Sequence, residues 1–287
     1  MKNIIKIAKS SPAQVGDGFF IRRPMPSGGI QLGEMSPFLL LDHAGPTHFP
    51  PSDQQKGVDV HPHRGFETVT INYQGEIEHR DSGGNAGKIA AGDVQWMTAA
   101  SGVVHEEKHG SDFTKKGGTL EMIQLWVNLP GRFKMSKPKY QEIKSAEIPI
   151  VRLADNAGYI RVIAGELDGK KGAATTFTPL NLLDARLNND AQVTIPVTNG
   201  HNAAIYVLEG KLQFASGDTA EEGEIAVFDP LAADISFSVK QQGKFLILTG
   251  EPLNEPIASY GPFVMNTAKE IEEALQDFQT GKMGVLS

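Results

Sequence analysis

The sequence predicts an all-β protein built as two related halves, each a β-sandwich or barrel, with one short helix near the C-terminus. Three observations carry this. Short runs rich in β-branched and aromatic residues dominate the chain (68–73, 94–97, 122–127, 160–163, 204–208, 225–228, 245–248), and 31 Gly and 17 Pro among 287 residues punctuate them. One strand–turn–strand pattern occurs twice, as TVTINYQG (68–75) then AGDVQWM (91–97), and as AIYVLEG (204–210) then EGEIAVF (222–228). An internal duplication explains such a pair. Between the halves, residues 129–149 are rich in Lys and Pro and lack strand periodicity, so they read as a linker. The expected domains are residues 1–135 and 136–287. The helix is announced by Thr267-Ala-Lys-Glu270, a capping box in which hydroxyl and carboxylate satisfy orphan backbone donors. Ile271, Leu275 and Phe278 follow on one helical face.

Composition narrows the function. A hydrophobic fraction of 40% supports a real core, and 21% charged residues without a long block argue against disorder. The net charge of −7 argues against direct nucleic-acid binding, which needs a basic surface. With no Cys, disulfides, thiolate metal sites and Cys catalysis are excluded. The opening MKNIIKIAKS is broken by lysines and does not read as a signal peptide, and no apolar run approaches the ~18 residues of a membrane span. A reducing, cytoplasmic setting is expected.

Seven of the eight histidines fall between His43 and His109. Alternate residues of a strand share a face, so His61 and His63 can reach one ion, as can His105 and Glu107. Two such strands facing one another put three imidazoles and a carboxylate around a point, a donor set suited to Fe, Mn, Ni or Zn with open positions left over. The run His105-Glu106-Glu107-Lys108-His109 also matches the H-E-x-x-H zinc protease pattern. That chemistry needs a helix, whereas Gly102-Val103-Val104 and Gly110 favour a strand. Glu106 and His109 then read as solvated loop groups. Ser82 to Lys88 looks like part of a phosphate loop but lacks its first Gly and its Ser/Thr, and reads as a hairpin. Lys115, Lys116 and the lysines between 134 and 139 read as solvated.

Taken together, SPFLLLDH (36–43), HPHRGFETV (61–69), HRDS (79–82), GDVQWMTA (92–99), GVVH (102–105) and QLWVNLP (124–130) resemble the pirin family of the cupin superfamily. The likeness is dense to Pro130 and looser beyond, where Ala164-Gly165 and Thr178-Pro179 still fit. It implies a bicupin, two stacked antiparallel jelly-roll barrels, with metal in the N-terminal one. It also implies that His61, His63, His105 and Glu107 are the metal ligands, that the ion is Fe(II) with Mn, Ni, Zn or Cu as alternatives, and that Glu67 is a supporting or structural group. The family's Thr-Ala-Gly-Arg-Gly before the third His is here Thr98-Ala-Ala-Ser-Gly102, which loses a cation near the pocket mouth. Bacterial-like pirins are associated with quercetin 2,3-dioxygenase activity. The resemblance therefore implies a flavonol and O2 as substrates, Glu107 as the group that accepts the flavonol proton, and Phe66, Trp96, Met97 and Trp126 as candidate pocket or core residues. The other role it implies is a metal-dependent regulator, binding a transcription or metabolic protein partner.

Overall fold

A computed structural model describes residues 1–231 and 234–286. The described residues are mostly antiparallel β-structure with two α-helices, Ser111–Lys116 and Ala268–Gln279. It forms two compact units that interleave segments instead of meeting at one cut near residue 135. One gathers Met1–Ser11, Pro24–Pro37 and Ala146–Pro252; the other gathers Pro12–Arg23, Phe38–Ser145 and Leu253–Ser287. Strand pairing is the reason. The first strand, Ile4–Lys9, hydrogen-bonds to Glu224–Phe228, so the N-terminus is tied to the unit of the later half. The stretch read as a linker contributes Lys139–Ile143, which pairs with Val94–Thr98.

The first unit holds a nine-stranded sheet. Its path runs Ile4–Lys9, Glu224–Phe228, Asn202–Phe214, Ile235–Gly250, Leu180–Leu187, Gly158–Ala164 and Ile150–Arg152. The second unit has a seven-stranded sheet in the matching order: Lys139–Ile143, Val94–Thr98, Phe66–Gln74, Gly118–Asn128, Phe38–Phe49, Phe19–Met25 and Ser11–Val15. The two copies of the repeated pattern thus occupy equivalent places. Against this sheet stands a four-stranded one, ordered Gly57–His63, Val103–His109, Ile77–Asp81 and Ala86–Ile89. In the first unit the strand corresponding to Gly57–His63 is Gln192–Ile195, paired with Ile235 to Ser238. Its inward side chains are Val193 and Ile195, packed with Ile235, Phe237 and Val239 in one apolar core. Where one unit places histidines, the other places aliphatic and aromatic groups.

The C-terminal tail belongs to the second unit. Thr267 and Glu270 close the capping box in both directions. Ile271 and Ala274 bury against Val104, Phe263 and Met265, while Phe278 stays partly exposed. The tail is pinned to the strand that carries His61 and His63. Val264 N–H donates to Arg64 O at 3.0 Å, and Arg64 reaches Ser101 O at 2.7 Å and Asp277 Oδ2 at 3.0 Å. Gly65, at φ +91°, permits this approach, because a Cβ there would lie 1.9 Å from Val264 O.

Lys134 is placed differently from a surface reading, and Glu67 is buried as a structural group. Lys134 is buried; its ammonium donates to Gly65 O (2.7 Å), Asn128 Oδ1 (2.5 Å) and Val264 O (2.9 Å), and so fastens the tail. Glu67 alternates with Phe66 and Thr68, so it points away from the barrel interior. It is 1% exposed, accepts a hydrogen bond from Thr98 Oγ1 at 2.7 Å, and burial pushes its carboxyl up to about 7.

Two outcomes follow. Lys134→Met strands three buried acceptors and is expected to cost about 2–4 kcal/mol in denaturant unfolding. For Glu67 the folded pKa lies above the unfolded one, so the native state binds the extra proton and stability falls as pH rises from about 4.5 through about 7. Glu67→Gln keeps the Thr98 acceptor and should leave stability nearly unchanged at pH 4.5. By pH 9 it should stabilise by up to about 3 kcal/mol, measured by unfolding at both pH values.

Candidate metal centre

The four-stranded sheet is the floor of the site. Strand Val103–His109 pairs on one side with Gly57–His63, setting His105 opposite His61 and Val103 opposite His63. Beyond His61 the register slips, and Glu107 faces Val58. Two residues on one strand, Asp59 and Val60, answer one on the other, Glu106, which makes a bulge. On its other side the same strand pairs with Ile77–Asp81, so His105 faces Asp81 and Glu107 faces His79. Six polar side chains from three strands therefore share one face.

Ligand-capable atoms of His61, His63 and His105 all lie within 4.8 Å of one another. Those of His79, His105 and Glu107 form a second such group, with His105 common to both. Glu107 is thus within reach of His105 and lines the same cavity as His61 and His63. His79 is the residue that the two-dyad reading missed. The signal was present as a third alternating pair, His79-Arg-Asp81, on the neighbouring strand.

Each imidazole is aimed by the nitrogen it does not offer. His61 Nδ1 meets Asp59 O at 2.7 Å, at the bulge. His63 Nδ1 lies 3.4 Å from Pro262 O, supplied by the C-terminal tail. His105 Nδ1 lies 3.4 Å from His79 Nδ1, and His79 Nε2 lies 3.2 Å from Asp81 Oδ2. His105 Nε2 is buried with no hydrogen-bond partner among the described residues. An orphaned ring nitrogen beside two imidazoles whose Nδ1 atoms are engaged is the donor set of a divalent transition ion, so the residues fit a metal. Burial lowers His63 to about 3, with His61 adding to the shift and the Pro262 carbonyl opposing it. Burial and the other imidazoles also hold His105 well below its ordinary range. Both rings are therefore neutral, as metal ligation requires.

Glu107 is fixed from the facing sheet. Thr70 Oγ1 donates to its Oε1 at 3.0 Å, Gln95 Nε2 approaches the same oxygen at 3.5 Å, and Gln124 Nε2 approaches Oε2 at 3.5 Å. A cavity of about 380 Å³ opens above these groups. Val15, Phe19, Ile21, Leu40, Met122 and Trp126 make its walls apolar, while Arg23 and Asp42 add one ion pair with both contacts at 2.6 Å. Of the four residues named as pocket or core, only Trp126 lines this cavity. Phe66 is fully buried, tilted at 33° against Trp126 and edge-on to His63, and Trp96 and Met97 are fully buried core.

The protease pattern is resolved by the fold. Residues 103–109 are a strand, so His105 and His109 are not one helical turn apart. His109 is no solvated group: it is buried among Phe19, Phe49 and Phe113, with Nε2 2.9 Å from Gly18 O. Glu106 pairs with Arg80.

Comparison with known proteins agrees with this architecture. The family model "Pirin" matches residues 19–127, and "Pirin C-terminal cupin domain" matches residues 182–284. A Pseudomonas aeruginosa protein named "Putative quercetin 2,3-dioxygenase" is 48% identical over 285 residues, covering 98% of both chains. Rattus norvegicus pirin is 36% identical, covering 94% of this chain and 89% of its own. The crystal structure of a quercetin 2,3-dioxygenase from Acinetobacter baumannii superposes with a TM-score of 0.96 at 47% identity over the whole of both chains. Two matched family models in chain order, together with relatives of this identity over nearly full length, establish that the chain is a member of the pirin family, a cupin protein of two β-units.

Proposed function

We propose that the protein is a metal-dependent dioxygenase of the pirin type that opens the heterocycle of quercetin-like flavonols with O2. His61, His63, His105 and Glu107 would hold one divalent ion, Fe(II) in a cytoplasmic setting. The observation that carries the reading is the cavity: about 380 Å³, walled by apolar and aromatic side chains, and ending on His61, His63 and the Glu107 carboxylate. Its volume and lining suit a flat aromatic molecule of drug size. The names of the Pseudomonas and Acinetobacter relatives point the same way.

When bound, the cation supplies Lewis acidity that lowers the pKa of a substrate hydroxyl placed against it, and a redox partner for dioxygen. The chain supplies the rest. Trp126 and Phe19 offer ring faces against which the flavonol packs, and Leu40 and Met122 keep water from its heterocycle. Thr70, shared with Gln124 Oε1 at 2.7 Å, and Gln95 approach Glu107 at Oε1, while Oε2 has the 3.5 Å contact from Gln124 Nε2. Glu107 Oε2 is thus placed to take the hydroxyl proton and to return it to product.

The test joins metal analysis of protein purified without air to an oxygen-electrode assay with a flavonol panel. Ferrous protein should consume O2 as the flavonol absorbance falls, and His105→Ala should lose at least 100-fold in rate together with its metal. Oxygen uptake no greater than in His105→Ala would return the chain to the metal-dependent binding role. Trp126→Ala should raise KM for flavonol about tenfold while retaining metal, seen by steady-state kinetics.

A further inference from the structure

The third alternating pair, His79 and Asp81, stands outside the proposed ligand set yet touches it. His79 is 3% exposed and stacks on Tyr140, with ring centroids 5.1 Å apart at 19°. Tyr140 OH in turn donates to Gln95 Oε1 at 3.2 Å, so the ring that backs His79 is held by a residue that also approaches Glu107. Asp81 cannot turn away. Its Oδ1 accepts from Gly83 N at 2.8 Å and Asn85 N at 3.1 Å, and Asn85 Nδ2 bonds both carboxylate oxygens at 3.1 and 3.0 Å. The oxygen left for His79 is Oδ2.

A neutral imidazole carries one proton on one of two nitrogens, and a ligand nitrogen must be the bare one. A carboxylate only accepts, so the His79 atom facing Asp81 Oδ2 must be N–H. In a neutral His79 the Nδ1 atom is then bare and also only accepts. The His105 nitrogen facing it must therefore carry the His105 proton, which leaves His105 Nε2 unprotonated. That is the atom found buried and unpartnered. The opposite tautomer would set two bare nitrogens against each other and bury an unpaired N–H.

We propose that Asp81 and His79 form a relay of fixed hydrogen-bond polarity that locks His105 in the Nδ1–H tautomer and so presents Nε2 to the metal. They are positioning residues, not ligands. The proposal rests on the metal-centre reading above for its purpose, but the tautomer is a property of the metal-free protein and can be read without an ion.

The experiment therefore has two readouts. Nitrogen-15 NMR of metal-free protein labelled at histidine reports which His105 nitrogen bears the proton, and Co(II) titration followed by its visible absorption reports affinity. Wild type is expected to show Nδ1–H and to bind Co(II). His79→Phe keeps a ring against Tyr140 but offers no acceptor; the His105 proton should redistribute toward Nε2 and Co(II) should bind 10–100-fold more weakly. His79→Gln places an amide oxygen near the acceptor position and should recover most of the affinity. Asp81→Asn is isosteric and guards against a folding defect in the ring variant. With its oxygen retained by Gly83 and Asn85, its amide N–H₂ faces His79, reverses the polarity of the relay and should move the His105 proton to Nε2. Wild-type His105 protonated on Nε2 overturns the proposal. So do His79→Phe and Asp81→Asn variants that keep both the Nδ1–H tautomer and Co(II) affinity within twofold of wild type. A wild type that shows Nδ1–H but takes no Co(II) counts against the metal reading alone and leaves the relay standing.

Discussion

The site depends on the register between Val103–His109 and its two neighbours. Sliding either partner by one residue would turn every second side chain from the cavity to the opposite face. In the observed register His61, His105 and Asp81 lie in one row across three strands, and Glu107 and His79 in the next. Much else in the second unit holds that alignment. The bulge at Asp59 and Val60 absorbs one extra residue and so sets the pairing on either side of it, and Gly65 lets the tail lie against the segment that follows His63.

Much of the architecture was legible in the sequence, because period-2 alternation and Gly-rich turns are local signals. The duplicated pattern at 68–97 and 204–228 maps onto matching strands of the two units, and the Thr267–Glu270 cap is formed as written. The partition of the chain was not legible. Pairing of Ile4–Lys9 with Glu224–Phe228 joins segments more than two hundred residues apart, and nothing in either run names its partner. The burial of Lys134 was hidden for the same reason: a lysine becomes interior only when distant carbonyls converge on its ammonium, here from Gly65 and Val264.

The site shows the same division. Two alternating pairs placed His61, His63, His105 and Glu107 on shared faces, and the structure brings the three imidazoles together. The third pair, His79-Arg-Asp81, reads only as part of a family motif, because it joins the site only through its neighbour's register. His109 was misplaced because a histidine beside charged residues looks solvated, whereas three phenylalanines from separate segments close around it. Conversely, Glu67 sits beside Phe66 in sequence but across the sheet in space, a separation that strand alternation alone would have indicated.

The carbonyl of Pro262 carries a consequence for how the protein is made. It orients His63, yet 199 residues separate the two. During synthesis at roughly 5–20 residues per second, His63 emerges from the ribosome some ~10–40 seconds before its hydrogen-bond acceptor. Throughout that interval the nascent chain holds the histidines without their final aim, and Gly65 without the strand that covers it. The final arrangement of these side chains is thus complete only once Pro262 has been made and has docked, and until then the donors form a more pliable set.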